Sequence, residues 1–179
     1  MRVEQLIDRE VDHVLAALTP SNRLVCEVSL HTGLRVSDVL ALRTQQLQPH
    51  FWVTEQKTHK RKQVGLPAPL LAAVKAQAGP VWAFPGRCGK GPRTRQAVWK
   101  DVKRAAAAFR VPQNVGPHSF RKTYAADAMR AYGDLAKVQK MLNHSSPICT
   151  MIYLVGLREA YDRSVSRYVY GVPRYGRRI

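Results

Sequence analysis

Four residues in the second half of the chain carry side chains suited to phosphate chemistry: His118, Arg121, His144 and Tyr153. His118 and Arg121 are three apart, which puts both on one face of a helix. Pro117 suits the first helical position, where a missing N–H has no intrahelical partner to lose. Leu135, Val138, Met141 and Leu142 recur at helical spacing and predict a second helix with His144 at its C-terminal end. A third short helix, opened by Pro147, carries Tyr153. An arginine fork matches phosphate oxygens two at a time and stays charged. A tyrosine hydroxyl attacks a phosphate held in line, provided the leaving oxygen receives a proton. A metal centre is the poorer reading, because zinc wants Cys or carboxylate ligands at short repeats and none sit near this set.

Other elements must position these groups. Helical periodicity predicts a helix over 3–18, broken at Thr19-Pro20-Ser21 with Ser21 as the next N-cap. A second helix over 24–31 closes at Gly33. Arg35 follows in the turn before a short helix beginning near Ser37, and a helix N-terminus beside an arginine is a good seat for phosphate. Asp38 places a carboxylate in that helix's first turn. Residues 51–53 and 63–66 read as strands of a hairpin, with Lys57, Lys60, Arg61 and Lys62 gathered at its tip, as expected for a loop pressed against a nucleic-acid groove or backbone. Helices follow over 67–78 and 94–109, the latter capped by Thr94, with a third strand over 81–84 between them. The loop PGRCGKGPRTR carries Arg87, Lys90, Arg93 and Arg95, placed to meet phosphates. Its glycines do not follow a phosphate-loop spacing. Residues 157–168 read as a further helix and 169–179 as an extended basic tail. The fold class is therefore mixed α+β, mainly α-helical with a small antiparallel β-hairpin.

The chain has 179 residues, 45% of them hydrophobic, which is one domain's worth and enough to bury a core. Its net charge is +17, from 29 Lys+Arg against 12 Asp+Glu. An excess of that size points to a polyanion, most often nucleic acid, rather than to solubility alone. Cys26, Cys88 and Cys149 are scattered and odd in number, so they make neither a disulfide framework nor a zinc pattern; they read as buried thiols of a reducing compartment. The N-terminus has no signal-peptide run, and no stretch approaches the apolar length of a spanning helix. These features predict a cytoplasmic, DNA-associated protein with no membrane contact. Isolated histidines are usually structural, and His13, His31, His50 and His59 take that reading; Tyr124 and Tyr132 are expected in the core.

The motifs in order resemble those of the tyrosine recombinases, the phage integrase family. HSFR with LNHSS and then Tyr153 is similar to the catalytic core of that family, TGLRVSDVLALR to its first arginine box, and EQKTHKRKQVGLP to its lysine hairpin, closely so in lambda-type integrases. The resemblance spans 32–154 and implies the tyrosine recombinase catalytic-domain fold over 1–179, without the helical core-binding domain that most members carry in front. It also implies site-specific DNA cleavage and religation through a 3′-phosphotyrosyl link. Arg35, Lys57, His118, Arg121, His144 and Tyr153 would be the catalytic set, Tyr153 the nucleophile, Lys57 the general acid with Lys60 as runner-up, and Asp38 the support of Arg35. No metal, nucleotide or other cofactor is implied. The implied partners are double-stranded DNA, further copies assembled on it, and accessory DNA-bending or directionality proteins. Departures are mild: Asn143 stands where the family usually has glycine, a position that tolerates positive φ. Phe120, Lys122 and Tyr124 replace the more usual Leu, His and Phe, and Lys122 adds a further candidate phosphate contact. A recombinase-derived DNA-binding regulator and a type IB-like topoisomerase share parts of this pattern.

Overall fold

The computed structural model describes residues 6–111, 113–146, 148, 150 and 151. In chain order the helices are α1 (Asp8–Ala17), α2 (Pro20–Thr32), α3 (Val36–Leu40), α4 (Ala68–Gln77), α5 (Arg95–Ala108), α6 (Pro117–Tyr132) and α7 (Leu135–Met141). Between α3 and α4 lies an antiparallel hairpin, β1 (His50–Thr54) and β2 (Arg61–Gly65), in which Phe51 faces Val64 and Thr54 faces Arg61.

Local chemistry explains the helix ends. Thr19, not Ser21, is the N-cap of α2, because Pro20 fits the first helical position and draws the start forward. Gly33 ends α2 at φ 67°, and a Cβ there would stand 2.5 Å from the Tyr124 ring on α6. Glycine is thus required twice over, by backbone and by packing. The Thr94 hydroxyl caps α5 by accepting from the Ala97 N–H at 3.2 Å.

α2 packs on α6, α3 and α4, and α1 on α5, about one core that includes Val14, Val25, Val28, Leu34, Val39, Phe84, Val102 and Phe120. A smaller apolar cluster of Ala125, Ala128, Val138 and Leu142 fastens α7 to α6. Away from these, the Asp101 carboxylate of α5 locks the N-terminus of α2. It accepts from the Thr19 N–H (2.9 Å), the Thr19 hydroxyl (2.7 Å), Asn22 Nδ2 (2.8 Å) and Arg104 (2.6 Å). Burial opposes its charge, but these donors outweigh burial and hold the acid down at about 2.

Several expectations need correction. Residues 81–84 are not a strand: Trp82 makes a single bridge to Arg43, and Gly79 N–H closes a turn onto the Trp82 carbonyl, so the segment bends before a ladder can grow. Tyr132 is 47% exposed at the end of α6 with the Lys137 ammonium over its ring, rather than in the core. Cys26 is buried as expected, whereas Cys88 sits exposed in the glycine-rich loop. The expectations for Pro147, Cys149, the helix over 157–168 and the tail 169–179 lie outside the described residues. Among the described residues, no helix is long and apolar enough to cross a membrane.

Candidate active site

Arg35 is the N-cap of α3, so the left-handed turn at Gly33 sets where its side chain emerges. Its Nη1 donates to Glu55 Oε2 at 2.6 Å and lies 3.9 Å from Asp38 Oδ2. Arg121 projects from the first turns of α6 and is fully buried. Its Nη1 donates to the Gly33 carbonyl (2.6 Å) and its Nη2 to the Leu142 carbonyl (2.7 Å), with Glu55 Oε1 3.7 Å away. One guanidinium therefore pins the end of α2 to the end of α7, and the two arginines flank one carboxylate.

His144 reaches the same place through the way α7 stops. Asn143 takes φ 53°, its N–H bonds to the Lys140 carbonyl, and the His144 N–H bonds back to the Gln139 carbonyl at 3.1 Å. That pair of bonds is a Schellman closure, so the asparagine substitution keeps the turn that glycine usually makes. His144 Nδ1 is 3.1 Å from the hydroxyl of buried Thr150, which orients the ring. His118 stands on the exposed edge of α6, one turn from Arg121.

The electrostatics are those of a cationic floor. His118 is pushed down to about 4, first by lost hydration and then by the charges of Arg121, Lys122 and Arg35. His144 falls to about 4 through burial, Arg121 and Arg35. Burial would raise Glu55, but the bonds from Thr58 and Arg35 and both arginine charges prevail and hold it below the usual range. Burial raises Asp38, its bond from the Gln56 N–H opposes this, and the Glu55 charge adds to it. Both imidazoles are thus neutral at pH 7 in the DNA-free protein. Below the unfolded value of 6.5 the unfolded chain takes up protons that the fold refuses until about 4. Stability should therefore decline as pH drops from about 6.5 toward about 4. Thermal unfolding across that range checks this, with a flatter profile expected for the His118→Gln, His144→Gln double variant.

The lysine candidates divide. Lys57 and Lys60 are exposed on the hairpin turn, with Arg61 opening β2, and Lys60 shares a groove with Gln139, Lys140, Asn143 and His144. Lys62 instead points inward. Its Nζ donates to the Thr32 carbonyl at 2.5 Å, and burial with the Arg121 charge brings it down to about 8. Lys122 is also buried, and Arg93 is engaged with Asn22 Oδ1 at 3.2 Å. Arg87 and Lys90 lie exposed on the glycine-rich loop, and Arg95 begins α5. Tyr153 lies outside the described residues.

Glu55 and Thr58 are the residues that sequence reasoning missed. The signal was present: β1 alternates exposed and buried from His50 to Thr54, and extending the alternation by one residue makes Glu55 an inward position. An acid on the core side of a hairpin needs a cationic partner.

The phage integrase family's sequence model matches residues 3–158. The probable integrase/recombinase YoeC of Bacillus subtilis is 30% identical over 141 residues, covering 75% of this chain and 77% of YoeC. The tyrosine recombinase XerC of Xanthomonas axonopodis pv. citri is 30% identical over 146 residues, covering 77% of this chain, and the match spans about half of XerC, 48%. Among solved structures, the catalytic domain of bacteriophage HP1 integrase superposes with a TM-score of 0.64 at 22% identity, covering 92% of this chain and 95% of that domain. At that identity the superposition speaks for the fold.

Proposed function

Since the chain belongs to the phage integrase family, as the match over residues 3–158 shows, we propose that it cleaves and rejoins DNA strands at specific sites through a 3′-phosphotyrosyl intermediate. The observation that carries this reading is the convergence of Arg35 and Arg121, from separate elements, on Glu55 beside His144 and the lysine turn. The substrate is double-stranded DNA, in keeping with the net charge of +17, and a cytoplasmic location follows from that substrate. The catalytic domain occupies 1–179, and several copies assemble on the DNA with accessory DNA-bending or directionality proteins.

In this mechanism Arg35 and Arg121 face the non-bridging oxygens of the scissile phosphate, where negative charge grows as phosphorus becomes five-coordinate. The Tyr153 oxygen forms a bond to phosphorus while the bond to the 5′-oxygen breaks. Lys57 gives that oxygen its proton, His118 receives the tyrosine's proton, and His144, held by Thr150, donates to a phosphate oxygen. A phosphate entering beside His144 stabilises the charged form of that ring, while His118 stays neutral until it takes the tyrosine's proton. The phosphodiester energy stays in the protein–DNA bond, so religation needs no nucleotide.

Covalent trapping tests this reading. On nicked duplexes from DNA flanking the gene, in EDTA, wild type should give a protein–DNA adduct stable to denaturation, and Tyr153→Phe should give none. Clear DNA binding with no wild-type adduct would overturn it in favour of a DNA-binding regulator. An adduct that persists in Tyr153→Phe would overturn the assignment of the nucleophile.

A further inference from the structure

Beneath the two arginines lies a carboxylate for which the proposed chemistry has no direct use. Glu55 is completely buried, and burying a carboxylate is costly unless it is paired and hydrogen-bonded. Its Oε2 accepts from Arg35 Nη1 at 2.6 Å and from the Thr58 hydroxyl at 2.7 Å, while Oε1 stands 3.7 Å from Arg121 Nη1. Thr58 belongs to the turn that carries Lys57. A second tie reaches the same turn, since the Gln56 N–H donates to Asp38 Oδ1 at 3.0 Å, and Asp38 also faces Arg35. Backbone bonds complete the fastening: the His59 N–H donates to the Glu55 carbonyl at 2.9 Å, and the Glu55 N–H to the Lys60 carbonyl at 3.0 Å.

We propose that Glu55 is a positioning residue: its carboxylate sets Arg35 against Arg121 and, through Thr58, ties the Lys57 turn to the arginine pair. This rests on the strand-cleavage reading above. With its Nη1 held from behind, the Arg35 fork has one defined orientation and turns its remaining donors toward the open side, where 19% of the side chain is exposed. The hairpin tip itself exposes Lys57, His59 and Lys60, and among the described residues no apolar side chain of its own anchors it. Without the tie, phosphate clamp and proton donor would be coupled only through the Asp38–Gln56 link and the turn's own backbone bonds. With it, a displacement of one is felt by the other, and misplacements near an ångström weigh heavily on such reactions.

A pair of variants on two substrates separates positioning from plain structural support. The substrates are a natural scissile phosphate and one with sulfur in place of the 5′-bridging oxygen, whose thiolate leaves without needing a proton. On the natural substrate, Glu55→Gln, which keeps shape and removes charge, should slow single-turnover cleavage about 100-fold. Thr58→Val, which cuts only the link to the turn, should slow it about tenfold. On the sulfur substrate Thr58→Val should match wild type, Glu55→Gln should regain about tenfold, and Arg35→Ala should regain nothing. Thermal unfolding of each variant is read alongside. Cleavage by Glu55→Gln at the wild-type rate overturns the proposal. So does a loss of equal size on both substrates for Glu55→Gln and Thr58→Val, which marks general structural damage. A wild-type protein that forms no adduct with either substrate overturns the cleavage reading itself, and this proposal with it.

Discussion

Replacing Arg121 with alanine should lower folding stability by about 3–5 kcal/mol, as expected when one partner of a buried charge pair is removed. The side chain is only 1% exposed, and three elements depend on it: the Gly33 carbonyl ending α2, the Leu142 carbonyl ending α7, and the Glu55 carboxylate of the hairpin. Alanine strands both carbonyls and leaves Glu55 leaning on Arg35 and Thr58 alone. Lysine keeps the charge but offers one ammonium where two carbonyls are bonded by separate nitrogens, so Arg121→Lys should recover only part of the loss. Urea unfolding checks both, with the midpoint falling in the order wild type, Lys, Ala and the slope constant. An unchanged midpoint for Arg121→Ala would mean that the three ends are held together by apolar packing. Cleavage should vanish in the alanine variant even at temperatures where it remains folded, because the proposed mechanism uses the same guanidinium to hold a phosphate oxygen.

Much of this arrangement could be read from the chain, and the residues show why. His118 and Arg121 share a helix, so a spacing of three with Pro117 ahead defined their relation. Gly33 ended α2 because a left-handed turn leaves few alternatives, and Asn143 announced the same geometry at α7. What could not be read is what lies between elements distant in sequence. Lys62 stands in a run of four cations that looks like a solvated tip, yet β2 has begun at Arg61, and alternation turns Lys62 toward Thr32. Glu55 carries no motif spacing of its own, and its importance exists only once Arg35, 20 residues earlier, has folded against it. Residues 81–84 have the composition of a strand but no partner of sufficient length, so β-propensity is overridden by tertiary context.

Arg35 poses the complementary case, a residue with little weight in the fold and, in the proposed mechanism, a great deal in the chemistry. Its side chain is 19% exposed, and among the described residues it bonds to no backbone carbonyl of another element, so its removal strands Glu55 only partly, with Thr58 still donating. Arg35→Ala should therefore remain folded while single-turnover cleavage falls about 1,000-fold, the scale set by losing one preorganised donor to a developing oxyanion. Binding should respond far less. DNA affinity is summed over many phosphate contacts, so losing one should change the slope of log K against log salt by about one. Arg35→Lys sharpens the point: it restores the charge, and with it the salt slope, but a single ammonium cannot serve Glu55 behind and two phosphate oxygens in front. Its cleavage should stay within about tenfold of the alanine variant. A lysine variant that cleaves like wild type would mean that the site needs positive charge at this position and not a fork. The bond to Glu55 would then be a way of burying an acid rather than of aiming a cation.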